Sequence, residues 1–595
     1  MILESKDPWW VDEDTLWQTK CSFTNASEAN RTLSFMDKEF RRRTLPWFGL
    51  CCILVVYFFS VLRFNPLDLF GTTQDDSLYF SSAKAIANQQ GYILPSVPGG
   101  PVATKYPILY PWILSWVWRW NPSFPSNLRA AVALTAAFGV VFLVSTFVFL
   151  RRLKGIGDST ALLITFFTAL HPVVLYYSAN VLSDIPFAAL AFTAMVVADQ
   201  AMRPNASGAN TVGCAFLTGL SILMRAFGVP VAAGILAAAI VRRAWRQVVI
   251  FCGVLVPFGA ATVWRWVFTL STVPAGSSGT PREPGFVGVW TYYTSYQGFW
   301  KLSVPNAHIL LSMLKNNAIF ILHSPSDYFL APLLTRHTIL SLSLMFLVTA
   351  GIFSGLARQS QDRGWKSIHW VLPFYLALIL VWNFPDAFRY SLLFLPLYAA
   401  GLWFEARHFL TITYTAILHS RDRSQKAVAG ALACGLAALI GALGFNYAFG
   451  ARRVTADIVS DRSNLLPDKR EAYQWLSCCT SHDDVVIAYE DASLYLYSGR
   501  QSMRPVAFPT SGEIDPAYFR EALSHITDVA HVTGARYWLI ADDDFDLEYD
   551  TAASLGRVRE KEFEQRLPVV FQSRNGHIRI YKIGCDDPSK IMPCS

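Results

Sequence analysis

Charge is what this chain of 595 residues has least of. Asp, Glu, Lys and Arg make up 16% of it, where a soluble domain carries about 25%. Hydrophobic residues make up 53%, and the mean hydropathy is +0.32. This excludes a disordered chain, which lacks apolar residues, and an ordinary water-soluble enzyme. The charge that is present lies unevenly. Residues 451–595 hold 40 of the 93 charged side chains, 17 Lys/Arg against 23 Asp/Glu, while the first 450 hold 33 and 20. The overall charge of +7 therefore joins a sparse basic body to an acidic tail and is no argument for a nucleic-acid partner. No internal repeat or low-complexity tract is evident. No cleavable signal peptide is expected, because the first apolar run begins only near residue 46.

What the chain has in abundance is apolar runs of spanning length, since roughly 20 residues of helix cross the hydrocarbon layer. About eleven are expected, over 46–62, 128–150, 159–179, 182–202, 211–224, 226–241, 247–270, 338–357, 368–383, 388–404 and 428–449. The predicted fold class is a polytopic α-helical membrane protein with a C-terminal soluble α/β domain. Lys and Arg near the span ends set orientation. Arg41, Arg42 and Arg43 precede the first span, and alternate loops carry Arg151, Arg152 and Lys154, then Arg242, Arg243 and Arg246, then Arg358, Arg363 and Lys366, then Arg421, Arg423 and Lys426. The expected organisation is a cytoplasmic leader over 1–45, a transmembrane domain over 46–450 and an exterior domain over 451–595. Two outer loops, 63–127 and 271–337, are far longer than ordinary helix connections.

Within the tail, DDVVIAY and ARYWLIA alternate like strands, YFREALSHITDVA reads as a helix, and VVFQSRNGHIRIYKI places a turn between two strands. Four of the ten cysteines lie there: Cys478, Cys479, Cys585 and Cys594. An oxidising exterior would support disulfides among them; a zinc site is the alternative.

Three segments carry ionisable groups at outer span ends, where such groups are costly unless they face a cavity or a partner. In GTTQDDSLYF, Asp75 and Asp76 follow the first span at the start of a helical stretch; read alone, they cap that helix. The same loop supplies Lys105 in ATKYPILYPW and an aromatic amphipathic stretch suited to the interface. In HPVVLYYSANVLSDIPF, Asp184 sits between the third and fourth runs, as a helix cap or as a second acidic group facing a cavity. In WNFPDAFRYSLLFLP, Arg389 and Tyr390 can anchor the interface or hold a phosphate, with Arg suited to bidentate contact. Arg225, between the fifth and sixth runs, and His323 with Asp327 in the second loop are further candidates. The second loop is rich in Gly, Pro and aromatics, including Trp290, Tyr292, Tyr293 and Trp300. These side chains suit stacking on a sugar or seating at the headgroups, in a loop that closes over a pocket.

The first outer loop, with its acidic start, its "GY…P" turn and its Lys-Tyr-Pro-x-x-Tyr-Pro element, resembles the class C (GT-C) integral membrane glycosyltransferases. The branch it is most similar to contains the bacterial aminoarabinose transferase and the protein O-mannosyltransferases. The likeness in motif covers about 71–118, 171–188 and 383–397. It implies a GT-C-like catalytic membrane domain and a donor sugar, hexosyl or pentosyl, on a polyprenyl phosphate, with a glycan, glycolipid or protein acceptor. It implies a base role for Asp75 with Asp76 beside it, a second acidic role for Asp184, and phosphate binding by Lys105, Arg389 and Tyr390. It also implies a multi-pass protein of the cytoplasmic (inner) membrane with its chemistry on the exterior face. No nucleotide-sugar signature is present, and a lipid-linked donor needs none. A divalent metal near two carboxylates is compatible with the residues, but no spacing demands one. The alternative class is a transporter or lipid flippase; against it, the ionisable groups cluster at one face instead of along a midplane path.

Overall fold

The computed structural model describes residues 26–71, 73–272, 289–290, 292–293, 307–330, 339–363, 365–382, 387–419, 423–506, 521, 523–544 and 567–583. It is mostly helical, with one small sheet near the C-terminus. Over its described residues, each of the eleven apolar runs is mostly helical. Among the described residues, five helices are long and apolar enough to cross a membrane: Thr44–Leu62, Leu128–Arg151, Asp184–Ala201, Trp245–Trp264 and Leu342–Gln361. The bent pair Asp158–Ala169 and Pro172–Ala179 makes a sixth if it counts as one span. Gly208–Met224, Gly228–Val241 and Ser367–Leu380 are apolar but shorter. The last two runs fall in Ala387–Ser391, the Leu392–Phe394 turn and Leu395–His419, and in Arg423–Cys479. The chain is a multi-pass membrane protein.

Local chemistry explains where the helices bend and meet. The run expected over 159–179 breaks by 53° because Pro172 lacks a backbone N–H and pushes the residue before it out of helical geometry. His171 is accordingly extended, at φ −62° and ψ 130°. It repairs the break with both ring nitrogens: Nδ1 accepts from the Val173 N–H at 3.3 Å and Nε2 donates to the Tyr328 carbonyl at 2.8 Å. Glycines let the Ile339–Arg363 and Leu395–His419 helices touch backbone to backbone. A Cβ on Gly355 would stand 2.0 Å from the Gly401 carbonyl oxygen, and one on Gly401 would stand 2.5 Å from that of Ile352.

The structure changes the sequence reading in two places. The stretch expected as a long outer loop over 271–337 contains the helix Ala307–Leu330. Its apolar pattern is interrupted by Lys315, Asn316 and Asn317, which hid it. Asn317 is 3% exposed and donates to the carbonyls of Leu380 and Trp382 at 3.0 and 2.6 Å, so its polarity is matched inside the fold. The division drawn at 450/451 falls within one helix, Arg423–Cys479, of 57 residues, about 86 Å at 1.5 Å per residue.

After that helix comes a five-stranded mixed sheet of order β2-β1-β3-β5-β4, from β1 (Val485–Ile487), β2 (Ser502–Met503), β3 (Ala535–Ala541), β4 (Val569–Gln572) and β5 (Ile578–Lys582). β1 runs parallel to β2 and β3, and β5 runs antiparallel to β3 and β4. The β4–β5 turn needs Gly576 at φ 78°. The α/β character and four of the strands follow the alternation in sequence; β2 and the helix Asp491–Ser498 do not. Cys479 is disulfide-bonded and Cys478 is an exposed free thiol. Cys585 and Cys594 lie outside the described residues.

The region around the C-terminal sheet is docked on the 63–127 segment. The Ser502 N–H donates to the Ser96 carbonyl at 2.7 Å, and Gln501 reaches the carbonyls of Pro95 and Val97. Tyr497 packs edge-on to Phe124 at 4.7 Å, and Lys84 lies 5.1 Å above the Tyr495 ring.

Candidate active site

Four segments far apart in sequence bring opposite charges together at one end of the helical body. Asp75 opens the helix Asp75–Ala87 and Asp184 opens the helix Asp184–Ala201, so both carboxylates sit at positive helix ends. Arg389 stands in the five-residue helix Ala387–Ser391, and Arg225 ends the helix Gly208–Met224. Arg389 makes a fork on Asp184, with Nε on Oδ1 and Nη2 on Oδ2, both at 2.9 Å. Its Nη2 also reaches Asp75 Oδ2 at 2.8 Å. Arg225 Nη1 donates to Asp184 Oδ1. The Asp184 side chain is 1% exposed, the two arginine side chains 12–13%. Buried charges persist where they are paired and hydrogen-bonded; here two carboxylates answer two guanidiniums.

Aromatic side chains fix this cluster. Tyr106 donates to Asp75 Oδ1 at 2.6 Å. Tyr79 shares a hydrogen bond of 3.0 Å with Ser183, the residue before Asp184. Tyr390 stacks on Phe227 at 4.5 Å, its ring 5.2 Å from the Arg225 guanidinium. The Tyr390 hydroxyl accepts from the Trp382 indole N–H at 3.3 Å. Asp184, Arg225, Tyr375, Arg389 and Tyr390 line a small recess with Phe187 and Leu392.

Of the residues singled out in the sequence, Asp75, Asp184 and Arg389 meet directly, and Arg225 joins them. Lys105 adjoins the cluster through Tyr106: its Nζ is 5.4 Å from that ring and 3.7 Å from the Tyr292 ring, with the residue 7% exposed. Asp76 faces the backbone of its own turn. It is fully buried and accepts from the backbone N–H groups of Gly71 (2.7 Å) and Ser77 (2.6 Å), which fixes the turn that presents Asp75. His323 pairs with Asp327 at 2.5 Å one turn along its own helix; no contact joins it to the cluster among the described residues. Trp290 is half-buried against the apolar core. Trp300 lies outside the described residues.

The sequence reading missed Tyr106, although it stands in the Lys-Tyr-Pro element, and Gln74, for which no signal existed. Gln74 precedes Asp75 with φ 56° and ψ −36°, a conformation that costs a non-glycine residue about 1–3 kcal/mol. Contacts on both sides hold it: its Nε2 donates to the Tyr489 carbonyl at 2.6 Å and its Oε1 accepts from the Tyr292 hydroxyl at 3.4 Å. Among the described residues, no group of three or more His, Cys, Asp or Glu side chains is placed to hold a metal, and Arg389 occupies both site carboxylates.

A second feature begins near the site and leads away from it. Tyr328 shares a 3.1 Å hydrogen bond with Ser391, two residues from Arg389. Beside it, Phe329 opens a groove of about 810 Å³ lined almost wholly by apolar side chains, among them Phe167, Ala399, Leu402, Trp403 and Leu410. From Ala399 to Tyr414 it follows its helix for about 22 Å.

No family profile and no curated protein matches the chain. Among solved structures it is similar to ArnT from Cupriavidus metallidurans bound to undecaprenyl phosphate, at 13% identity over 92% of this chain and 99% of that one, with a TM-score of 0.48. Against ArnT from the same organism in the apo state the identity is 14%, over 92% of this chain and 98% of that one, with a TM-score of 0.45. It is also similar to the archaeal oligosaccharyltransferase AglB from Archaeoglobus fulgidus in complex with an inhibitory peptide and a dolichol-phosphate, at 15% identity over 91% of this chain and 75% of that one, with a TM-score of 0.46.

Proposed function

We propose that this protein transfers a sugar from a polyprenyl-phosphate donor to a glycan, glycolipid or protein acceptor at the outer face of the membrane. The observation that carries the reading is the meeting of Asp75, Asp184, Arg389 and Arg225 beside Lys105, above an apolar groove. A polyprenyl tail belongs in such a groove, and its phosphate then stands among cationic side chains at the groove's upper end. The helix that Asp184 opens runs 18 residues, about 27 Å, which nearly crosses the hydrocarbon layer. At its other end Asp199 meets Arg242 at 3.5 Å. Because the Arg-rich loops mark the inside, the Asp75 end and the C-terminal domain docked on it face outward.

The chemistry follows from who holds Arg389. Without a donor, its guanidinium neutralises Asp75. A phosphate that takes the Nη2 of Arg389, with Lys105 beside it, releases Asp75 Oδ2 while Tyr106 keeps the carboxylate oriented. Asp75 then accepts the proton of an acceptor hydroxyl as that oxygen attacks the anomeric carbon. The new bond is acceptor O–C1 and the broken one is C1–O(phosphate). The leaving group departs as polyprenyl phosphate, its charge met by Arg389 and Lys105. A single displacement inverts the anomeric configuration. The fork between Arg389 and Asp184, backed by Arg225, keeps the guanidinium in place throughout. The test is transfer from radiolabelled polyprenyl-phosphate sugars by purified protein. Arg389→Ala should abolish transfer and weaken donor binding; transfer at the wild-type rate by that variant refutes the assignment.

A further inference from the structure

The C-terminal domain touches the site through a pair of adjacent tyrosines in the second outer loop. Tyr293 is buried, and its hydroxyl donates to Asp491 Oδ2 at 2.6 Å while accepting from the Arg504 backbone N–H at 3.1 Å. Asp491 and Arg504 both belong to the C-terminal domain and are 1% exposed. The Arg504 guanidinium lies 4.4 Å from the Tyr489 ring and 5.2 Å from the Tyr292 ring, and its Nε donates to the Tyr489 carbonyl at 3.3 Å. That carbonyl is also the acceptor for Gln74. Tyr292 therefore has Lys105 on its ring, Gln74 on its hydroxyl and Arg504 within cation–π range. Two of those partners belong to the catalytic loop: Lys105, and the strained residue just before Asp75.

We propose that Asp491 is a positioning residue for the donor site: by holding Tyr293 it fixes Tyr292 over Lys105 and, with the Tyr489 carbonyl, holds Gln74 in the backbone conformation that presents Asp75. The C-terminal domain is on this view a working part of the site, completing it by clasping the second loop to the first. The inference rests on the proposed donor-phosphate role of Lys105.

Tyr293→Phe removes the hydroxyl and both of its bonds but keeps the ring. A hydrogen bond to a carboxylate is strong enough that its loss should raise the donor KM roughly tenfold, with kcat falling severalfold as well, because a loosened Gln74 presents Asp75 less well while every reacting group stays in place. Asp491→Ala should match it, Asp491→Asn, which retains an acceptor, should lie between these and wild type, and the double variant should be no worse than either single one. Hydrogen exchange of the full-length protein without donor gives an independent readout: both strong variants should lose protection in peptides covering 71–78 and 289–293, while peptides of the distant Leu128–Arg151 helix stay unchanged. Unaltered exchange in 71–78 overturns the proposal, as does an unaltered donor KM in an active enzyme. Wild-type protein inert toward every polyprenyl-phosphate donor defeats the transferase reading; loss of protection in 71–78 would then still support the positioning of Gln74 and Asp75 by the C-terminal domain.

Discussion

Asp184→Ala is the sharpest test of how the site is held together. The carboxylate is 1% exposed and receives the Arg389 fork at 2.9 Å on each oxygen, plus Arg225. Deleting it leaves two nearly buried guanidiniums with Asp75 as their one remaining carboxylate in the cluster, changing its formal charge from zero to +1. Removing one partner of a buried pair costs about 3–5 kcal/mol, because the stranded charge keeps its desolvation penalty. The Arg151–Asp158 pair, with side chains 31% and 38% exposed, serves as the control: screened by solvent, it is worth about 0–1 kcal/mol. Heating detergent-solubilised protein and measuring what remains monodisperse by size exclusion gives the comparison. Asp184→Ala should lose its monodisperse peak at a temperature several degrees below both wild type and Asp158→Ala, with Asp184→Asn between. If Asp184→Ala resists heat as well as Asp158→Ala does, the buried cluster does not hold these helices together.

Other outcomes follow from single features. Arg389→Lys keeps the charge but loses the planar fork, so donor turnover should fall at least about tenfold while expression persists; an assay at saturating donor checks this. Gly401→Ala drives a Cβ against the Ile352 carbonyl and should separate two helices that meet through their backbones, read as lost thermal resistance where Gly253→Ala, in open space, shows none. Maleimide should label Cys478 without reductant and label Cys479 only after it.

The sequence exposed what physics makes costly. In so apolar a chain, Asp75, Asp184, Arg389 and Arg225 stood out because charge at a span end needs a reason, and the structure shows that they are one another's partners. The helices were legible wherever apolar residues ran unbroken. Ala307–Leu330 was not, because Lys315 and two asparagines break its pattern and the carbonyls that satisfy Asn317 come from another helix. Asp76 looked like a twin of Asp75, and nothing in two adjacent identical letters tells which carboxylate turns inward to hold the backbone. Gln74 and Asp491 carried no signal at all, since their roles exist only through contacts more than 190 residues away in sequence. β2 was too short to show an alternation.

The central claim is that Asp75, released from Arg389 by the donor phosphate, takes the acceptor's proton. Its most direct measurement is single-turnover transfer of radiolabelled sugar from polyprenyl phosphate by wild type and by Asp75→Asn, with donor binding measured in parallel. The account predicts that Asp75→Asn binds donor at least as tightly as wild type, because Arg389 no longer has to give up a carboxylate, yet transfers sugar at least about a hundredfold more slowly. Transfer by Asp75→Asn at the wild-type rate would contradict it.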